Sequence, residues 1–90
     1  MIPLKILFVA TEAAPFMKVG GLGEVMFSLP VALRQLGHDA RVMIPRYASI
    51  DTTKFPMTMV KEGLQVPSGY EQPVICNVKA LDHAFFLENQ

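Results

Sequence analysis

The residues best equipped for chemistry form one run, Lys18-Val19-Gly20-Gly21-Leu22-Gly23-Glu24-Val25. Glycines carry no Cβ, so a backbone rich in them can approach a ligand closely. The run lies between an apolar stretch, residues 4–10, and a helical pattern that reaches about residue 36. The first turn of a helix has N–H groups without intrahelical acceptors, and its dipole is positive there. Lys18 adds a full positive charge on a flexible stem. Such a set of groups suits an anion, and phosphate is the obvious one. Gly-Gly between a strand and a helix is also a common tight turn, so spacing alone allows a packing role as well.

Two familiar phosphate loops do not fit. A P-loop needs Gly-Lys followed by Ser or Thr, and no glycine here precedes a lysine. The dinucleotide fingerprint begins well at Gly21-Leu22-Gly23, but Met26 occupies its third glycine position. The acid expected near the end of the second strand is also missing, for the chain reads Ile44-Pro45-Arg46 there.

The longer run from Thr11 to Val25 resembles the N-terminal signature of bacterial glycogen synthases and plant starch synthases. That signature reads roughly E-x-x-P-x-x-K-x-G-G-L-G/A-D-V, after a strand that starts almost at the N-terminus. Glu12, Pro15, Lys18, Gly20, Gly21, Leu22, Gly23 and Val25 match it, while Glu24 stands where the family usually has Asp. Similarity continues at Ser28-Leu29-Pro30, Leu36-Gly37-His38, Pro45-Arg46-Tyr47 and Phe85-Phe86-Leu87-Glu88-Asn89, so it spans nearly the whole chain.

The resemblance implies a retaining glycosyltransferase of the GT-B architecture, with two Rossmann-like domains and a cleft between them. Such enzymes transfer glucose from ADP-glucose, or in some members UDP-glucose, to the non-reducing end of an α-1,4-glucan. Carried over, Lys18 would bind the diphosphate of the sugar nucleotide, and Gly20 and Gly21 would let it approach. Glu12 and Glu24 are further candidates for contact, Glu24 equally for a solvated place in the first turn of the helix, where its charge suits the dipole, and no cofactor or metal is implied. The family's remaining donor-binding and catalytic positions fall outside these 90 residues. The expectation is therefore that residues 1–90 are the N-terminal part of a starch-synthase-type catalytic domain, without its second Rossmann domain and inactive alone. Such a part should expose apolar surface around Phe85 and Phe86 and either self-associate or be only marginally stable. The alternative is a free-standing Rossmann-like module for anion binding or assembly, without catalysis.

Composition agrees with a small globular unit: 51% of residues are hydrophobic, and eight basic residues balance eight acidic ones. Zero net charge gives no electrostatic case for nucleic acid or an anionic membrane surface. No stretch approaches the ~18 apolar residues that read as a membrane span. A single cysteine, Cys76, cannot form an internal disulfide, and it reads as a buried strand residue in a reducing compartment. The expected location is the cytoplasm, or the plastid for a plant protein whose transit peptide has been removed.

The elements that must position the loop are set by pattern. Residues 4–10, Leu-Lys-Ile-Leu-Phe-Val-Ala, predict a strand buried on both faces. Leu22, Val25, Met26, Leu29, Leu33 and Leu36 recur at threes and fours, which predicts a helix with that face on a sheet. Pro30 predicts a kink rather than an end, and Gly37 a left-handed stop. His38 reads as a cap at the helix C-terminus. Ala40-Arg41-Val42-Met43-Ile44 is the second strand of a right-handed βαβ unit, whose ligands belong beyond the carboxyl ends of its strands. Residues 45–56 read as a surface loop with a short helical turn at 48–52. Strands are expected at 57–66, 73–81 and 83–87, with turns at Pro67-Ser68-Gly69 and Asp82. His83, without a nearby histidine, is not expected to bind metal. The fold class is thus α/β, a Rossmann-like βαβ start followed by a β-rich hairpin region.

Overall fold

The computed structural model describes residues 2–67, 69 and 72–89. Among them the chain forms β1 (Lys5–Val9), α1 (Gly21–Gln35), β2 (Asp39–Pro45), β3 (Thr58–Val66), β4 (Val74–Leu81) and β5 (Ala84–Asn89). All five strands join one sheet in the order β1-β2-β5-β4-β3. β1 and β2 are adjacent and parallel, with Phe8 beside Val42, as a βαβ unit requires. β5 pairs parallel with β2, setting Ala84 beside Val42 and Phe86 beside Ile44. The hairpin region is therefore not a separate layer: β3 and β4 return antiparallel and hand β5 back to the same sheet. In the β4–β5 turn Asp82 takes a positive φ of 53°, a conformation that Asp tolerates better than most residues. Of the other expected turn, Ser68 lies outside the described residues.

The core lies on one face of the sheet, where Val42, Ile44, Ala84 and Phe86 are buried and Phe8 and Met26 pack against them. α1 covers this face but uses a different side from the one its periodicity suggests. Gly23 and Pro30 are its buried residues, and Met26 joins them at the core. Leu22, Val25, Leu29 and Leu36 are exposed. At 100° per residue the helix carries two apolar stripes about a third of a turn apart, and periodicity alone does not choose between them. The stripe with the glycine and the proline wins because it lets the backbone come close to the loop. The helix runs through Pro30 to its end, so the proline interrupts no element. Gly37, at φ 97°, lets the Gly37 amide reach the Arg34 carbonyl and the His38 amide reach that of Leu33, closing the C-terminus. The imidazole of His38 accepts from the Leu4 amide at Nδ1 (3.0 Å), so the side chain ties the helix exit to the residue before β1 and the capping falls to the His38 backbone amide.

Three further expectations change. β1 is an edge strand with only one face covered, so Leu7 and Val9 stand 51% and 74% exposed rather than buried. Phe86 is fully buried by its neighbours on β2 and by Phe16, and the exposed apolar residues lie on β1, α1 and β3 instead. Residues 48–52 form turns without a helix. Asp51 organises the next turn, its carboxylate accepting from the Thr53 amide (2.9 Å), and Ile50 and Phe55 fold inward to the core.

Candidate functional site

The loop after β1 is built to hold its far end still. The Ala10 amide continues the β1–β2 ladder by bonding the Met43 carbonyl (3.0 Å). Ala13 and Met17 then exchange backbone hydrogen bonds (2.9 and 3.0 Å), closing a tight turn whose base, Ala13, is fully buried. From that turn Phe16 reaches edge-on to Phe55 and Phe86, each ring centroid 5.0 Å away. The Ala14 amide donates to the Gly23 carbonyl (3.0 Å), which ties the turn to the helix start. Lys18 leaves this anchored turn at the carboxyl end of β1, where the βαβ topology places ligands.

Glu12 lies inside the loop, with only 8% of its surface exposed. One carboxylate oxygen accepts from the amides of Val19 and Gly20 (3.2 Å for Gly20), and the other from the amide of Gly23 (3.0 Å). Gly20 is the N-cap of α1 and has no side chain to cap with, so Glu12 supplies the acceptor from eight residues away. The Val19 amide leads the groups that hold this carboxyl below the usual glutamate range, with Gly20, Gly23 and the Lys18 charge adding to it against the opposing effect of burial.

Lys18 and Glu24 are outward-facing, and their side chains form an ion pair about half exposed to solvent. The stem of Lys18 lies across Gly23: a Cβ at residue 23 would stand 3.0 Å from the Lys18 Cγ and 3.3 Å from its Cα. Gly23 is thus the glycine that packing demands. A Cβ at Gly21 would meet nothing within 4 Å, and one at Gly20 would be 3.9 Å from a Glu12 oxygen. The amides of Gly21 and Leu22, both exposed first-turn residues, have no partner among the described residues.

The structure therefore gathers all five residues singled out in the sequence, Glu12, Lys18, Gly20, Gly21 and Glu24, around one helix start. Glu12 takes an internal position and the others face out. Tyr47 is a neighbour that the pattern did not reveal. Its hydroxyl donates to the Thr11 carbonyl (2.6 Å), and with Glu12, Met17 and Gly20 it lines an open pocket of about 420 Å³ under the loop. The Pro45-Arg46-Tyr47 run that ends β2 was its only sequence signal. A second cavity of about 480 Å³, lined by Phe16, Met26, Pro30 and Phe55, contains none of the loop's charged groups. Among the described residues no three His, Cys, Asp or Glu side chains converge as a metal site would require, and Cys76 is a buried free thiol.

A family model described as the starch synthase catalytic domain matches residues 5–90. The glycogen synthase of Geobacillus stearothermophilus is 44% identical over 92 residues, covering 97% of this chain and 19% of that protein. The glycogen synthase of Alkaliphilus metalliredigens is 38% identical over 92 residues, with the same shares covered. Among solved structures, the catalytic domain of starch synthase IV from Arabidopsis thaliana, bound to ADP and acarbose, shares the fold. Its TM-score is 0.80 at 23% identity, over 99% of this chain and 19% of that one. The chain thus spans about a fifth of the length of these relatives.

Proposed function

Because the chain belongs to the starch synthase catalytic domain family, we propose that it forms the N-terminal part of a retaining enzyme that moves glucose from ADP-glucose or UDP-glucose to the non-reducing end of an α-1,4-glucan. The observation that carries this reading is the grouping of Lys18 with the two unpartnered amides of Gly21 and Leu22 at the carboxyl end of β1. A diphosphate set there meets the Lys18 ammonium, already paired with Glu24, and two open amides at the positive end of a helix. As the bond between glucose and the diphosphate breaks, negative charge grows on the leaving group, and donors already in place lower that barrier. The ammonium has three protons, so it can keep Glu24 and still donate to a phosphate oxygen. Alone, the chain offers one wall of a cleft and transfers no glucose.

The test is a chimera in which this chain replaces the matching segment of the Geobacillus stearothermophilus glycogen synthase. Transfer from ADP-glucose and UDP-glucose is then measured with and without Lys18→Ala. A charge-assisted hydrogen bond of roughly 1.5–3 kcal/mol corresponds to a ten- to hundredfold loss in donor use, at ~1.4 kcal/mol per decade. If charge develops on the leaving group, kcat falls together with donor affinity. Unchanged kinetics in a folded Lys18→Ala chimera remove the phosphate role.

The exposed stripe of Leu22, Val25 and Leu29 on α1, continued by Leu36 at its C-cap, also supports self-association of the isolated chain. Sedimentation should show a concentration-dependent mass that Leu29→Glu lowers; a monomer at high concentration would rule self-association out.

A further inference from the structure

Glu12 is an unusual choice for the interior of a loop meant to receive an anion. It brings a negative charge to the amides that a phosphate would otherwise use, and it is more deeply buried than any other charged residue described. A carboxylate there repels a second anion unless the two use different donors. The donors divide in just this way. Val19, Gly20 and Gly23 donate their amides to Glu12, while those of Gly21 and Leu22, on exposed residues, have no acceptor among the described residues. Any backbone that satisfies one carboxylate from residues 19, 20 and 23 at once is held in a single shape, because the acceptor's two oxygens are rigidly spaced.

We propose that Glu12 is the positioning residue of this loop: its carboxylate draws the amides of Val19, Gly20 and Gly23 inward, and so fixes Lys18 and the amides of Gly21 and Leu22 as the groups that face the donor diphosphate. The proposal rests on the proposed donor site for its ligand, but not for the loop geometry. The charged groups around Glu12 are Lys18 and, paired with it, Glu24. The near neutral neighbour is Tyr47, whose hydroxyl is engaged with Thr11. Glu24 is held by Lys18 and the Tyr47 hydroxyl by Thr11, so neither replaces Glu12 as acceptor for three amides. Glu12→Gln keeps one oxygen but turns an NH2 group toward an N–H, so at least one amide loses its partner. Glu12→Asp keeps the charge and shortens the reach by one methylene.

Two measurements test this. The first uses the chain itself, with backbone amide resonances tracked through an acid titration. The amides of Val19, Gly20 and Gly23 should move together with one midpoint, that of the Glu12 carboxyl, and the shared midpoint should vanish in Glu12→Gln. Independent movement, or a midpoint that survives Glu12→Gln, overturns the positioning role whatever the donor does. The second uses the chimera. Glu12→Gln should raise the donor KM about tenfold or more and lower kcat with it, since the groups it misplaces are those proposed both to bind the donor and to stabilise the leaving group. Glu12→Asp should recover part of that loss. A donor KM within about twofold of the parent in folded Glu12→Gln overturns the link from loop shape to donor binding. Shared titration combined with unchanged Lys18→Ala kinetics would instead overturn the donor reading, and with it the role of Glu12 toward a diphosphate. The two failures are therefore distinguishable.

Discussion

The loop between β1 and α1 contains no regular strand or helix, yet Glu12 and Ala13 are buried in it and Phe16 stands against two rings. β3 is nine residues of strand, and every one of them is exposed. The sheet edge also shows in its pairing, with register shifts on either side of Lys61. Bulges and charges of this kind keep an open edge from recruiting another strand. Regular hydrogen bonding and anchoring are thus separate properties. The part of the chain that must hold a charge in place is fixed by core contacts, and the regular part at the far edge is held chiefly by its ladder.

The sharpest way to break that comparison is to weaken each region by one side chain. Phe16→Ala removes a partly buried ring and two edge-to-face contacts, and should cost about 2–4 kcal/mol. Val60→Thr on β3 changes an exposed position and should stay within about 0.5 kcal/mol. Chemical denaturation of both variants measures the difference. Equal losses would mean that β3 is packed more firmly, or the loop less, than the burial of their side chains requires.

That loop marks how far the sequence could be read. Element types came from period and punctuation: the alternation of apolar residues around Val42, the spacing from Leu22 to Leu36 and the stop at Gly37 all find their elements within a residue or two. That the five candidate residues gather at one helix start was legible too, because a glycine-rich bend between a strand and a helix places its neighbours there whether it serves a ligand or packing. Partnership was not legible. Whether Leu29 or Pro30 faces the sheet depends on how closely α1, at Gly23, must approach Lys18, a three-dimensional fact. Whether Glu12 meets solvent, ligand or its own backbone depends on a turn whose closing contacts, Ala13 with Met17 and Phe16 with Phe86, lie between residues of no shared pattern. The open face of β1 could not be foreseen from an apolar run, since such a run states what a strand can bury and not what is present to cover it.

Two glycines sharpen the comparison within the loop itself. Gly23→Ala presses a Cβ against the Lys18 stem and backbone. The clash should outweigh the better helix propensity of alanine and cost about 1–2 kcal/mol. Gly21→Ala meets open space and should be neutral, or stabilising by up to about 1 kcal/mol. In the chimera, however, Gly21→Ala should raise the donor KM, because the open space is where the diphosphate is proposed to lie. Thermal melts and donor kinetics on both variants separate the two glycines. An unaffected donor KM in Gly21→Ala would take Gly21 out of the site.

The smallest effect contrasts an acid of the loop, Glu12, with one of the sheet, Glu88 on β5. Both carboxyls lie below the usual glutamate range, for different reasons. The amide of Val19 leads at Glu12, whereas at Glu88 it is the Lys79 ammonium, 3.0 Å away, with Asn77 and Arg46 assisting. A lowered folded pKa contributes stability above the unfolded value, and the contribution is lost as pH falls through the folded value. Both acids should therefore hold through neutral pH and lose their contribution only at acid pH, below the ordinary glutamate range. Salt separates them. Taking ionic strength from about 0.01 to 1 M shortens the Debye length from roughly 30 to 3 Å, which screens a partly exposed ion pair but not hydrogen bonds from fixed, buried amides. The Glu88 carboxyl should move up toward its ordinary value, and that of Glu12 should move less, in side-chain carboxyl resonances tracked against pH at the two salt levels. If Glu12 moves as far as Glu88, the Lys18 charge rather than the inward-facing amides is what holds it. The loop would then owe its shape to the same screened attraction that acts at Glu88 in the sheet.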